Sequence, residues 1–361
     1  MGILAGPPRD GDQPFGKGTA YFRRIILLSY WRGGFCYAFS AGDVNPELDT
    51  IHGWSVDAER RWYRATCPMP DVVYDRWITT TPEEAAHNAM VAGALCRRGV
   101  PFVNSTEITS VTRDKLATHQ ILATDPQVLP YLPQTFAFDG KAGGVEAALS
   151  RYALIYLKPR AGSRTRGVVF LRPGAGGVEY GFRGADGEIL TKHAAGVAQS
   201  LSDLKDILAS EQYVVQQGIC PCLYGGERFE IRVLMHKGMS GGWLRTGIVI
   251  RGGTRSLPFL ASGNESHFRP SLVMPEVFGD RAQTLLDEVR HIARLVPPVL
   301  EANSGPGGEL AIDVIIDDTS RVWLLEVNSK PASLFLNVSA SRLRNRGISR
   351  VLDYAASLVN R

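Results

Sequence analysis

Two apolar runs around a short polar turn constrain this chain more than any other feature. Leu310-Ala311-Ile312-Asp313-Val314-Ile315-Ile316 and Val322-Trp323-Leu324-Leu325-Glu326-Val327-Asn328 flank Asp317-Asp318-Thr319-Ser320-Arg321. Runs of this composition, bounded by turn formers, predict a β-hairpin. Side chains alternate across a sheet, so Glu326 and Asn328 share one face. If the hairpin closes around residues 319 and 320, Asp313 stands opposite Glu326 on that face. Three oxygen ligands converging there suit a hard cation such as Mg²⁺, which takes one or two carboxylates and fills its shell with phosphate oxygens and water. The same pattern also fits an edge hairpin with one wet face, and a motif alone does not decide between the two.

At 361 residues the chain has room for two or three domains, each with its own core. Hydrophobic residues make up 44% and charged residues 21%, a globular balance. A formal net charge of +4 gives little support to nucleic-acid binding. There are 8 Lys against 32 Arg, so any mechanism that needs lysines has few to use. The five cysteines, Cys36, Cys67, Cys96, Cys220 and Cys222, are odd in number and scattered, which argues for free cytosolic thiols over a disulfide framework. Cys220-Pro221-Cys222 is too tight for a zinc half-site and has no partner pair. Apolar runs such as Ile25 to Leu28 are far too short to span a bilayer. The first residues lack the pattern of a signal peptide. The expectation is a cytoplasmic protein with no membrane or nucleic-acid partner, and homo-oligomerisation stays open.

Along the chain, Asp71 to Arg76 reads as a strand with a polar end. Thr81 then caps a helix that starts at Pro82 and runs to about Arg98. Gly99 to Asn104 reads as turn and strand, giving a small α/β domain with a parallel sheet. A helix over Asp114–Leu122, a Pro-rich crossing and a buried strand Leu154–Pro159 follow. The Gly-rich stretch Pro173–Gly187 reads as a hairpin turn region, Leu201–Ser210 as an amphipathic helix, and Tyr213–Ile219 as a strand leaving into a loop. Phe229–Met235 and Gly242–Arg251 are two further strands, and Pro275–Val296 is the longest helical pattern.

Several of these pieces carry chemistry. Lys158 ends a strand just before the loop Ala161-Gly162-Ser163-Arg164-Thr165-Arg166-Gly167, where small residues let backbone amides approach phosphate oxygens. A solvated turn fits the loop equally well, since it is not a Walker A sequence. Lys115 opens a helix, and Gln216-Gln217-Gly218-Ile219 offers backbone groups at a strand end. Glu230 and Arg232 share one face of an apolar strand, which is costly unless they pair or bind something polar.

The order of these pieces resembles the ATP-grasp superfamily, and most closely the YheC/YheD-like group of bacterial ATP-grasp proteins. The resemblance rests on Pro70–Arg76, Asp114-Lys115 with Thr118, Gln120, Ile121 and Leu122, and Tyr131–Thr135. It continues through Lys158-Pro159, Gly162-Ser163, Arg166-Gly167, Gln216–Ile219, Glu230–Leu234 and Glu326–Pro331. It implies an α/β fold: an N-terminal pre-ATP-grasp domain over 1–110, then a two-part ATP-grasp over 111–200 and 201–361, with ATP between the halves. By that resemblance Lys115 and Lys158 hold ATP phosphates, and the loop with Gly162, Ser163 and Gly167 closes over them. Gln217, Gly218 and Ile219 take adenine through backbone groups, and Glu230 takes the ribose. Arg232 neutralises the transferred phosphoryl group, and Asp313, Glu326 and Asn328 bind two Mg²⁺ ions. The implied activity is that of an ADP-producing carboxylate–amine ligase acting on small-molecule or peptide acids and amines through an acyl phosphate. The alternative is a nucleotide-binding structural protein of spore-coat type without turnover. Two departures stand out. The loop lacks a further glycine near Thr165, and Ala261–Phe268 lacks the expected Asn and Gly-Gly pattern. Among the arginines, Arg76, Arg251, Arg255 and Arg269 are candidates for holding a substrate carboxylate.

Overall fold

The computed structural model describes residues 1–9, 11–44, 49–162, 167–184, 188–252, 266–331 and 341–359. It is an α/β chain with three sheets. In the first, Gly2–Leu4 lies between Tyr37–Phe39 and Val73–Asp75, parallel to both. Strands Thr50–Val56 and Trp62–Pro68 extend this sheet antiparallel, so the expected parallel sheet is the inner part of a mixed one. The helix Pro82–Arg97 starts as the sequence predicts, with the Thr81 hydroxyl accepting from the Glu84 amide at 3.2 Å. Gly99–Asn104 is not a full strand. Phe102 makes a single parallel bridge to Val73 before the chain turns away.

The second sheet is antiparallel, in the order Ile189–Ala194, Gly177–Arg183, Val169–Gly174, Ile155–Pro159, Tyr213–Gln217, Thr135–Ala137. Within the stretch Pro173–Gly187, Gly174 pairs with Gly177 around a two-residue turn, and strand resumes at once. The reason is burial: Val178 and Tyr180 alternate into the core, which outweighs the glycine content. The helix expected over Leu201–Ser210 is instead two short ones, Val197–Asp203 and Lys205–Leu208.

The third sheet orders Ser266–Phe268, Trp243–Gly252, Glu227–Lys237, Glu309–Ile316 and Val322–Asn328, all antiparallel. One face packs Ile231, Val233, Ile312 and Val314 against the helix Ala282–Ser304. The helical pattern at Pro275–Val296 is divided. Pro270–Phe278 forms one helix, Gly279 at φ 51° breaks it, and the second helix continues past Pro297 and Pro298 to Ser304. The opposite face carries Leu234, Val249 and Ala311 at one end, in a single core with Ile3, Tyr21 and Ile25 and with Ile348 and Val351 of the helix Ser341–Val359. The N-terminal sheet and the C-terminal helix thus close half of this face, and the other half is left to the site. Among the described residues, no helix is long and apolar enough to cross a membrane.

Candidate functional site

Register sets the open half of the third sheet. Arg232 pairs across strands with Asp313, Asp313 with Glu326, Glu230 with Arg251, and Ala311 with Asn328. The hairpin turn closes one residue earlier than expected, since Val314 faces Leu324. A bulge at Leu325 then restores the expected pairing of Asp313 with Glu326. Arg232 holds Asp313 with two charge-assisted hydrogen bonds, Nε to Oδ1 at 2.6 Å and a terminal nitrogen to Oδ2 at 2.5 Å. Both residues are buried. Arg251 bridges Glu230 and Asp313, lying 3.3 Å from Asp313 Oδ2. Burial works against ionisation of Asp313, but Arg232 and then Arg251 outweigh it and hold the carboxyl below its usual range.

The second sheet supplies the opposite wall. Lys158, half-buried, donates to Gln216 Oε1 at 2.5 Å, and Gln216 in turn donates to Thr135 Oγ1 at 3.0 Å. Burial, and then the nearby charge of Lys115, pushes the Lys158 ammonium down to about 8, with Glu326 pulling the other way. Lys115 and Glu326 are thus the charges that act most on Lys158. Lys115 Nζ donates to the Gly162 carbonyl at 3.0 Å. The helix Lys115–Leu122 is fixed by Asp114, which caps it through the Leu116 and Ala117 amides at 3.0 and 3.1 Å and accepts from Arg160 at 2.8 Å. Ser163, with Arg164, Thr165 and Arg166, lies outside the described residues, as do Arg255 and most of Ala261–Phe268.

The strand end at Gln217 is more committed than its sequence suggests. The Gln217 amide donates to the Gln134 carbonyl and the Gly218 amide to the Leu154 carbonyl, both at 2.8 Å. Those two amides are therefore committed to backbone partners within the fold. Gly218 is forced by packing, because a Cβ there would stand 2.4 Å from Leu154 Cγ. Ile219 is buried beside Ile315 and Trp323 of the hairpin, with half-buried Leu325 against them. The strand end at Ile219 and the hairpin 309–328 thus share an apolar floor.

Asp313, Glu326 and Asn328 carry oxygens of the kind a hard cation takes, with both oxygens of Asp313 also accepting from Arg232. Among the described residues, the side chains of Glu326 and Asn328 have no hydrogen-bond or ion-pair partner, so their oxygens are available. Two carboxylates and an amide leave most of an octahedral shell to other oxygens, as Mg²⁺ prefers. No group of three or more His, Cys, Asp and Glu occurs among the described residues, so a site built wholly from such ligands is not offered there.

Sequence reading missed Asn104 and the pairings of a second set of residues beside the site. Buried Asn104 donates to the Glu309 carbonyl at 2.8 Å and the Ser329 carbonyl at 2.6 Å, and accepts from the Gly308 and Glu309 amides at 2.7 and 3.0 Å. Lys330 donates to Asp75 Oδ2 at 2.6 Å. Arg76 donates to Glu309 Oε2 at 2.8 Å and to the Pro331 carbonyl, so it is engaged structurally rather than held out for a substrate. Arg269, the cap position of the helix Pro270–Phe278, is exposed. The segment after Asn328 is in this way clamped by the N-terminal unit.

Residues 101–358 match the family described as YheC/D like ATP-grasp. The chain belongs to that family. A curated relative, the endospore coat-associated protein YheD of Bacillus subtilis (strain 168), is 25% identical over 362 aligned residues, covering 96% of this chain and 76% of YheD. Among solved structures, D-alanyl-alanine synthetase A of Vibrio cholerae aligns with a TM-score of 0.59 at 13% identity, covering 100% of this chain and 97% of that one. The ATP-grasp ligase PsnB, solved with a minimal precursor, Mg and ADP, aligns at 0.54 and 13% identity, covering 100% of this chain and 98% of its own. At such identities the likeness speaks for the fold, which is the ATP-grasp fold expected from the sequence.

Proposed function

We propose that this protein is an ATP-dependent carboxylate–amine ligase that works through an acyl phosphate. The observation that carries the reading is the shared face of Arg232, Asp313, Glu326 and Asn328 on the third sheet, with Glu326 among the charges that act on Lys158. Cations on one wall and oxygen ligands on the other suit a nucleotide triphosphate with divalent cations between them. The two similar solved structures, a D-alanyl-alanine synthetase and an ATP-grasp ligase, agree with it.

In this reading a substrate carboxylate oxygen attacks the γ-phosphorus. The bond from that phosphorus to the bridging oxygen breaks, and ADP leaves. The amine nitrogen then attacks the acyl carbon, the carbon–oxygen bond to phosphate breaks, and the amine's proton passes to solvent. Asp313, Glu326 and Asn328 would hold Mg²⁺, which neutralises phosphate charge. Lys115 and Lys158 bind and orient the phosphates. Arg232, fixed by Asp313, sits where charge gathers on the transferred group, so its donors need little reorganisation. Glu230 serves the ribose, and the backbone around Gln217–Ile219 serves the base. The chain needs no nucleophile of its own. ATP dependence and five free thiols suit the cytoplasm.

A second reading follows from the description of YheD as coat-associated: nucleotide binding in a structural protein without turnover. ADP release in the presence of mixed amino acids, with a mass search for condensation products, separates the two. Release that depends on both an acid and an amine supports the ligase. Tight nucleotide binding with no such release supports the structural reading.

A further inference from the structure

We propose that Arg245, Arg290 and Arg294 form a binding site for a compact phosphate-class oxyanion, on the face of the third sheet opposite Arg232 and Asp313. A bulge aims the first of them. In the strand Trp243–Gly252, Gly247 pairs with Leu234 and Arg245 with Met235, so Thr246 is the extra residue between them. It shifts the alternation, and Arg245 shares the face of Met235, Ile248 and Ile250, against the helix Ala282–Ser304. Without the bulge Arg245 would share a face with Val249 and Arg251. Ser266–Phe268 pairs only with Ile250–Gly252, so among the described residues the strand at Arg245 is the edge of the sheet. The helix supplies Arg290 and Arg294, one turn apart, with Asp287 a turn before Arg290. Arg245 and Arg294 are exposed and Arg290 is half-buried, so the cluster is open to solvent.

Arg290 donates to Asp287 Oδ1 at 2.5 Å, and its Nε is buried with no hydrogen-bond partner among the described residues. Arg245 and Arg294 have no hydrogen-bond or ion-pair partner among those residues. Partial desolvation, then the charges of Arg290 and Arg294, lower the Arg245 guanidinium, and Asp287 works against them. The remaining charges of these two elements are engaged elsewhere. On the helix, Glu288 meets the Tyr131 hydroxyl, and Glu301 takes Lys237 and the Trp243 indole. His291 is exposed and is not among the groups that act on Arg245. On the strand, Arg251 belongs to the opposite face, beside Asp313. Three guanidinium groups thus share one carboxylate, three positive charges less one, and the surplus of two matches a dianion. Planar forks from a strand and a helix suit the oxygens of a phosphate group, which take them in pairs. The site needs nothing from the nucleotide cleft and stands or falls separately from it.

The test is calorimetric titration of the full chain with inorganic phosphate at about pH 8, where it is mostly a dianion, against chloride at equal ionic strength. Wild type should bind phosphate saturably and chloride not. Arg245→Gln should weaken phosphate on the order of tenfold or more. In chloride the same variant should unfold no earlier than wild type, because it relieves repulsion among like charges. Arg294→Gln should weaken phosphate likewise, and serves if Arg245→Gln does not fold. Asp287→Asn should tighten it several-fold by removing the competing carboxylate. Lys158→Ala, on the other wall of the nucleotide cleft, should leave this binding in place. Equal phosphate affinity in wild type and a folded arginine variant overturns the site. So does a loss that follows Lys158→Ala instead, or a wild type that responds to phosphate and chloride alike.

Discussion

Two buried charge clusters lie on one face of the third sheet, four residues apart on the same two strands, and they differ in how fully they are satisfied. At the closed end, Glu309 accepts from Arg76 and Tyr74 at 2.8 Å each, and its other oxygen meets His236 Nε2 at 3.1 Å. His236 meets Thr246, to which Arg350 donates at 2.8 Å, and the cluster is covered by the N-terminal sheet and the last helix. Burial opposes the charge on Glu309, yet Arg76 and His236 keep its carboxyl below the usual range. At the open end, Arg232 and Asp313 make an equally short pair, but Glu326 and Asn328 beside them have no protein partner among the described residues. The same chemistry thus serves two ends. A cluster whose oxygens are all occupied by protein donors fastens domains, and one with oxygens left over is available to a ligand.

The largest expected effects test that contrast directly. Glu309→Ala leaves Arg76 buried without its counter-charge, so it should cost about 3–5 kcal/mol of stability. Glu326→Ala should change stability by no more than about 0.5 kcal/mol. It should lower turnover by on the order of a thousandfold, about 4 kcal/mol of transition-state stabilisation. Urea unfolding and ADP release on both variants make the check. If Glu326→Ala unfolds the chain, or turns over normally at millimolar Mg²⁺, the two ends do not differ as described.

Next comes the division of labour within the open end. Arg232→Lys keeps a charge but loses the fork that grips Asp313. Turnover should fall on the order of a hundredfold, about 3 kcal/mol, with ATP affinity within a few-fold of wild type. Lys158→Ala should do the reverse, weakening nucleotide binding about tenfold, or 1.4 kcal/mol. Single-turnover rates and direct binding on both proteins separate the roles. Equal loss of affinity in both would merge them.

What could be read in advance follows physical range. The pairing of Asp313 with Glu326 is local, and alternation within a hairpin fixes it, although the bulge at Leu325 that delivers it has no sequence signal. Thr81 and Pro82 declared their helix because capping is a short-range rule. The Arg232–Asp313 pair joins strands 81 positions apart, and no pattern within either strand reveals that register. Asn104 looks like a loop polar residue and Glu309 a strand-end charge, and the backbone groups that hold Asn104 lie more than 200 positions away, while Glu309 is held by the side chains of Arg76, Tyr74 and His236. Lys158 before its small-residue loop fits a phosphate site and a solvated turn alike, so the order of motifs along the family had to favour the first. The break at Gly279 was missed because Pro275–Val296 keeps its apolar period across it.

The smallest expected effect sets the two walls of the cleft against each other by protons. Asp313 is held below the usual carboxylate range, so it stays charged through neutral and alkaline pH and exchanges no proton there. Lys158 is held at about 8 by burial, against about 10.5 for an ordinary lysine. Between those values the unfolded chain carries the proton and the folded chain does not, so this group makes stability rise with pH across that window. Below about 8 both states are charged, and the burial penalty applies in full. A bound diphosphate reverses the sense, because its negative charge favours the ammonium and raises its pKa. ADP binding should therefore take up roughly half a proton at pH 8 and almost none at pH 6, and affinity should decline as pH rises further. Calorimetry in two buffers of different ionisation enthalpy measures the uptake. Lys158→Arg, charged at every accessible pH, should abolish it. Uptake that persists in that variant would move the titrating group off the Lys158 wall.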